Sequence, residues 1–273
     1  MRLLLGELAP VPGEVGENLA AVERAVRSSP CDLAVFPEMF LSGYRLGDRV
    51  HALALREGDE SFVRLARLAR ESSTALLLGA PVASGGRAGE VENAALLFAP
   101  DGSASRQVKR YLPNFGPFDE ALTFTPTDRS HSLRLGARKL GVEICYDVFF
   151  PEVSRELALD GSEILVAISA SPVTSRRLFE RLLPARAIEN GLPVVYVNRV
   201  GVEDGLVFGG GSGVWDPRGE PVPLVAGATE PREAEERLLT AEVDLDAARR
   251  WRPFRPVLRD VASRPPASGT QGS

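Results

Sequence analysis

LGVEICYDVFFPEVSRELALDGSEILVAIS, residues 140–169, holds a strand, a polar-aromatic turn, a helix and a second strand in thirty positions. LRLGARKLGVEI (133–144) reads as two short strands around Gly136, the second ending at Cys145. The helix runs from about Pro151 to Leu159, proline being favoured as a first helical residue. EILVAIS (163–169) is the next strand. Toward the C-terminus, a helix over 176–190 precedes the strand LPVVYVNRV (192–200). The short strands LVF (206–208), SGVWD (212–216) and RLLTAEVDL (237–245) follow, with a turn at Pro217-Arg218-Gly219. Toward the N-terminus, Leu3–Leu8 is a strand. Leu19, Val22, Ala25 and Val26 recur at helical spacing within 14–27. CDLAVF (31–36) suits a strand buried on both faces. A helix over 60–71 carries Phe62, Leu65, Leu68 and Ala69 on one side. The strand ALLLGAPVA (75–83), the turn SGGRAGE (84–90) and the return strand NAALLFA (93–99) make a hairpin, closed by a turn at Pro100-Asp101-Gly102. Residues 110–130 read as irregular. Helices alternate with strands while hairpins interrupt them, so the fold class is α/β with two packed sheets and helices outside. Eight clean strand–helix units, as a TIM barrel needs, are not present in the pattern. One domain is expected over 1–262, with SRPPASGTQGS (263–273) as a disordered tail.

The chain of 273 residues is 44% apolar and 25% charged, and 32 basic against 37 acidic side chains leave a net charge of −5. A general nucleic-acid binder or anionic-membrane binder would carry a basic excess, so both partners are disfavoured. No apolar run approaches the ~18 residues that span a bilayer. MRLLLGELAP (1–10) has one positive charge and an apolar run broken by Glu7, unlike a signal peptide. Two cysteines make no disulfide framework and two histidines leave little for a metal. A soluble, cytoplasmic protein is expected. HExxH, CxxC and GxxxxGK[ST] are absent. GGGSG (209–213) fits neither GxGxxG nor GxSxG, because Val214 takes the last glycine position, and it reads as a tight β-turn.

Cys145 ends a strand just before a helix, and such a corner projects its side chain at the carboxyl end of the sheet, where α/β proteins place ligands. It reads either as a nucleophile or as a small buried hydrophobe. Cys31, opening an apolar strand, reads as buried. A thiol nucleophile needs a base and something to hold the oxyanion. His131 stands among serine and arginine with no recognisable context. Glu38, directly after the strand DLAVFP, lies at a strand's carboxyl end and is the better candidate, against the reading of an ordinary loop glutamate.

FPEMFLSGY (36–44), VKRYLPNFGPFDE (108–120) and GVEICYDVFFPEVSR (141–155) resemble the three signature segments of the nitrilase superfamily, the carbon–nitrogen hydrolases. RAIENGLPVVYVNRVG (186–201) and FGGGSGVWDPRGE (208–220) extend the resemblance to about residue 258. It implies a four-layer αββα sandwich with a Glu38–Lys109–Cys145 triad and Glu120 as a second glutamate ordering the lysine and the substrate. It also implies no metal or organic cofactor. By resemblance, Cys145 attacks an amide carbonyl and Glu38 relays the proton. Lys109 and the Tyr146 N–H hold the oxyanion, and water then cleaves a thioester. An adjacent ammonium favours thiolate, so a lowered Cys145 pKa is expected, with faster alkylation than at Cys31.

YLPNFGPFDE and YVNRVGVEDGLVFGGGS are closest in motif to the glutaminase domain of glutamine-dependent NAD synthetases. Tyr146 stands where those glutaminases usually carry a glutamate for the substrate's ammonium. True nitrilases typically carry Trp-Glu there. The expected substrate is therefore a linear amide or N-carbamoyl compound, with a stand-alone glutaminase as the alternative and a non-catalytic interaction protein as a third reading. Tyr44, Phe115, Phe118, Tyr146, Phe149 and Ser171 are the expected pocket lining, with core packing as their competing role. Arg176 and Arg177 read either as a clamp for a substrate carboxylate or as solvated residues of a helix first turn. Trp251, Phe254, Val257 and Leu258 fall in a segment too proline-rich to fold by itself. That segment is expected to pack across the interface of a homodimer or higher symmetric oligomer.

Overall fold

Strand-length apolar runs build two sheets, described by a computed structural model over residues 1–85, 89–227 and 236–263. The first sheet starts with β1 (Arg2–Glu7), β2 (Leu33–Val35), β3 (Ala75–Ala83), β4 (Val91–Phe98) and β5 (Ala104–Val108). The second is built from β6 (Leu133–Leu135), β7 (Arg138–Ile144), β8 (Ile164–Ser169) and β9 (Val194–Asn198). A separate hairpin, β10 (Val200–Glu203) and β11 (Leu206–Gly209), then leads to β12 (Gly213–Trp215), which pairs antiparallel with β9. β13 (Val225–Ala226) and β14 (Arg237–Glu242) return to the first sheet, whose order is β13-β14-β1-β2-β3-β4-β5. The second sheet runs β12-β9-β8-β7-β6.

The sheets meet face to face. Leu3, Leu5, Val35 and Leu77 of one pack against Val142, Ile144, Val166 and Val197 of the other. Helices α1 (Val15–Ser28) and, after the single turn α2 (Val50–Leu53), α3 (Glu60–Ser72) cover the first sheet through Leu19, Val22, Leu65 and Leu68. Helices α4 (Pro151–Leu159) and α5 (Arg176–Asn190) cover the second through Val153, Leu157, Phe179 and Leu183. The layers are thus α, β, β, α, as the resemblance implies. Among the described residues no helix is long and apolar enough to cross a membrane.

Three expectations shift. CDLAVF gives a shorter strand than expected, Leu33–Val35, with Asp32 still bonded to Arg2 and Ala75 and Phe36 to Leu77 before the chain turns off toward Glu38. Periodicity gives no strand at 104–108, yet ASRQV forms β5, an edge strand whose pairing with β4 compensates a polar sequence. RLLTAEVDL stops at Glu242, and the proline-rich segment beyond it folds into α6 (Leu245–Trp251) and α7 (Val257–Ala262). Asp244 caps α6, accepting from the N–H groups of Asp246 and Ala247. Pro256 sits at the N-cap of α7, where its missing N–H costs nothing. Phe254, between these helices, is exposed. The expected tail lies outside the described residues from 264 onward, as do positions 86–88 of the turn after β3.

β7 points Leu140, Val142 and Ile144 into the inter-sheet core and Gly141 and Glu143 at α4. A Cβ on Gly141 would lie 3.0 Å from Leu157 Cβ, so glycine allows the close approach of that helix. Glu143 is wholly buried there and accepts the Ser154 hydroxyl at 2.5 Å. Burial pushes its carboxyl up to about 7. As pH rises, the unfolded carboxyl ionises first, near 4.3, while the folded one stays protonated, so this group's contribution to stability is lost between the two values. Glu143→Gln is expected to gain on the wild type by on the order of 3 kcal/mol between pH 4 and pH 8. Urea unfolding at both pH values measures it, and an identical difference at both would refute it.

Candidate active site

β5 is antiparallel to β4, which is antiparallel to β3, so β2, β3 and β5 all run the same way. Glu38, following β2, and Lys109, following β5, therefore leave the first sheet at one edge. In the second sheet β7, β8 and β9 are parallel, and Cys145, Ser169–Ser171 and Asn198 come from their carboxyl ends. The Glu38 carboxylate spans the gap between the sheets. Its Oε1 accepts from Lys109 Nζ at 2.7 Å and Asn93 Nδ2 at 2.8 Å, and its Oε2 accepts from the Ala170 N–H at 2.8 Å. Lys109 Nζ also donates to Glu120 Oε1 at 2.7 Å, and the Tyr44 hydroxyl donates to the same oxygen at 2.5 Å. Glu38, Lys109 and Glu120 are all buried.

Two backbone features aim this cluster. Met39 and Cys145 adopt φ values of +53° and +49°, a left-handed region that side-chain-bearing residues rarely enter and that costs about 1–3 kcal/mol each. The turn at Cys145 breaks β7 and starts the 3₁₀ segment Cys145–Phe149. At Gly79 of β3, a Cβ would lie 2.4 Å from the Met39 nitrogen and 2.5 Å from Glu38 Cα. Only glycine lets the Glu38 segment cross that strand.

The charges act on one another. Burial, and then the negative charge of Glu38, push the Cys145 thiol well above its ordinary value, and the Lys109 ammonium only partly offsets them. The expected lowering of this thiol is therefore corrected: at rest it is protonated and depends on a base. Cys31 is also raised, to about 11, chiefly by burial. As a residue Cys145 is half-buried and Cys31 buried, while the Cys145 sulfur itself is enclosed among Glu38, Lys109 and Glu120. Burial opposes the Lys109 ammonium, but Glu120 and Glu38 outweigh it and hold its pKa above the ordinary lysine value. Burial raises Glu120 against the pull of Lys109. A protonated thiol, a carboxylate and a fixed ammonium are the parts that nucleophilic attack on a carbonyl requires.

The expected lining residues form a continuous run of ring contacts. Tyr44 meets Phe118 at 6.3 Å, Phe118 meets Phe115 at 5.7 Å, Phe115 meets Tyr146 at 5.3 Å and Tyr146 meets Phe149 at 5.5 Å. Ser171 is buried, and its backbone N–H and C=O pair with the Asn198 amide at 2.9 and 3.0 Å. Arg176 and Arg177 stay exposed on the first turn of α5, with Arg176 donating to Glu180 at 3.0 Å. His131 is exposed. GGGSG is not the expected tight β-turn: Gly209 ends β11, Gly213 opens β12, and the link between them carries Gly210 and Gly211 at φ +60° and +86°. Asn93, Asp147 and the Ala170 N–H also belong to the site, beyond the residues that the motifs give. The signal for Asn93 was a lone amide inside the apolar run NAALLFA, and for Asp147 a lone acid in an aromatic turn.

The profile of the carbon–nitrogen hydrolase family matches residues 10–253, and the chain belongs to that family. An (R)-stereoselective amidase from Pseudomonas sp. is 34% identical over 257 residues, covering 92% of this chain and 88% of that protein. A glutamine-dependent NAD(+) synthetase from Rhodobacter capsulatus is 34% identical over 225 residues, covering 80% of this chain but only 40% of the synthetase. An amidase from Nesterenkonia sp. AN1 superposes with a TM-score of 0.75 at 30% identity, covering 93% of this chain and 97% of that one. It is a glutamate-to-glutamine variant showing Michael addition of acrylamide at its active-site cysteine.

Proposed function

We propose that this protein is an amidohydrolase that cleaves a linear primary amide or an N-carbamoyl C–N bond and releases ammonia through a Cys145 thioester. The observation that carries the reading is the buried Glu38–Lys109–Glu120 cluster acting on the Cys145 thiol. Glu38 takes the thiol proton as sulfur attacks the carbonyl carbon. Lys109 Nζ and the Tyr146 N–H stabilise the tetrahedral oxyanion, a role worth most where water is excluded. Collapse of that intermediate breaks the C–N bond, and Glu38 returns the proton to the departing nitrogen. Glu38 then takes a proton from water, whose oxygen attacks the thioester and frees the thiol. Glu120 and Tyr44 hold Lys109 in place throughout.

The ring contacts support the substrate class. Tyr146 packs on Phe115, Phe149 and Phe150, so the position after the nucleophile supplies no carboxylate for an α-ammonium. The next residue, Asp147, is buried with its oxygens already taken by backbone N–H groups. An amino acid would leave its ammonium poorly paired, a loss of roughly 1–3 kcal/mol. A linear aliphatic amide or an N-carbamoyl compound is expected to exceed glutamine in kcat/KM by at least about tenfold, or 1.4 kcal/mol. Steady-state ammonia release from butyramide, N-carbamoyl-β-alanine and glutamine tests this. The likeness to NAD synthetases favours glutaminase activity as the second reading, and glutamine as the best substrate of the three would establish it.

A further inference from the structure

Lys109 and Cys145 come from different sheets, and no strand ladder joins β5 to β7. Their relative position needs another tie. Asp147 is 1% exposed, and its carboxylate reaches both segments. Oδ1 accepts from the N–H groups of Tyr111 at 2.8 Å and Arg110 at 3.2 Å, directly after Lys109. Oδ2 accepts from the N–H of Ile144, directly before Cys145, at 3.1 Å, and more weakly from Arg110 at 3.4 Å. We propose that Asp147 is a positioning residue that sets the placement of the Lys109 ammonium relative to the Cys145 thiol by holding both backbone segments on one buried carboxylate. This rests on the reading of Cys145 as nucleophile and Lys109 as its ammonium partner.

Among the described residues, other contacts cross the same junction, but no other side chain accepts from the backbone on both sides of it. The Tyr111 ring stacks on Phe150 at 3.5 Å, and Arg110 pairs with Glu156 at 2.5 Å with both side chains partly exposed. A partly exposed ion pair is screened and contributes little. Hydrogen bonds to an ionised acceptor are about twice as strong as neutral ones, and burial shields them further. Both Asp147 oxygens face donors, so the ionised form is the one that fits. Burial pushes the Asp147 carboxyl up to about 7, and the Lys109 charge with the Tyr111, Ile144 and Arg110 N–H groups pulls the other way, toward the ionised form.

Asp147→Asn keeps the volume but turns one oxygen into an NH2 group facing an N–H donor, which breaks one of the two tethers. The expected result is a fall in kcat of about 100-fold, the cost of a reacting group misplaced by about 1 Å, with KM within about threefold. Alkylation of Cys145 by iodoacetamide is expected to move to higher pH, because the ammonium that pulls the thiol down is no longer held. A merely structural loss would lower the melting temperature without moving that profile. Arg110→Ala, which removes the peripheral ion pair and the guanidinium over the Tyr111 ring but keeps the backbone N–H that Asp147 accepts, is expected to keep kcat within threefold. In the wild type, the Arg110 and Tyr111 amides are expected to exchange hydrogen as slowly as that of Ile144. This measurement needs no variant to fold, and exchange at the rate of an exposed loop would overturn the proposal. So would an Asp147→Asn protein with kcat and alkylation profile within twofold of wild type, or an Arg110→Ala loss equal to that of Asp147→Asn. Cys145→Ala separates the two failures. If it still releases ammonia, the nucleophile reading falls. If it is inactive while Asp147→Asn is fully active, the positioning role alone falls.

Discussion

Lys109→Met is expected to lose ammonia release by about 10³-fold and to be strongly destabilised, the two effects having one cause. The wild-type ammonium is wholly buried between Glu38 and Glu120, 2.7 Å from each. Methionine fills the same space without charge and leaves two carboxylates sharing a buried site with no cation. Removing one partner of a buried ion pair costs about 3–5 kcal/mol, because the remaining charge is uncompensated. For a chain of this size that amounts to roughly 6–20 °C in melting temperature. The pH dependence identifies the cause. Without the ammonium, the carboxyl pair ionises less readily in the folded protein than in the unfolded chain, and Glu120 is already raised by burial with the ammonium present. A group whose folded pKa is raised contributes its full stability below the unfolded value and loses it as pH rises through the folded one. The deficit of Lys109→Met against wild type is therefore expected to be largest at pH 8 and to shrink toward pH 5. Thermal unfolding at both pH values decides it, and a deficit independent of pH would mean lost packing rather than lost charge.

Much of this site is legible in the sequence alone. Glu38, Lys109, Glu120 and Cys145 each stand at the end of a strand or in the loop that follows it, inside short motifs whose order and spacing resemble one family. The two-sheet architecture was legible because apolar runs of strand length alternate with helical spacing. The parts that escaped share a physical reason. β5 is polar, and its strand conformation comes from pairing with β4, a long-range contact that periodicity does not report. α6 depends on one capping aspartate at the end of what reads as a strand. Asn93 and Asp147 act through partners 55 and 36 residues away in sequence. The thiol is the clearest case. Motif order shows which charges are near Cys145, but not that burial and Glu38 together outweigh Lys109. That balance depends on how much water the fold removes, and it reverses the sign of the expected shift.

That reversal makes Glu38→Gln the sharpest test of how the site is wired. Glu38 is the proposed base in both halves of the reaction, and general-base assistance is worth about 10²–10⁴ in rate. Turnover by Glu38→Gln is therefore expected to fall by at least about 10³-fold. The thiol is expected to respond in the opposite direction. In the wild type the charge of Glu38 raises the Cys145 pKa, whereas Lys109 lowers it. Glutamine deletes the opposing charge and can still accept at Oε1 from Lys109 and Asn93, its NH2 losing only the Ala170 N–H bond, so the ammonium keeps its partners there while the thiolate becomes easier to form. Each unit by which the thiol pKa falls multiplies the thiolate about tenfold, and the accompanying drop in intrinsic nucleophilicity takes back about threefold. Iodoacetamide at pH 7 is expected to modify Cys145 of Glu38→Gln about threefold faster than in the wild type for each such unit, while the same variant releases almost no ammonia. If alkylation slows in step with turnover, Glu38 must remove the thiol proton even for a simple alkylating agent. Its charge would then matter less than its basicity, and the electrostatic account of this thiol would be wrong.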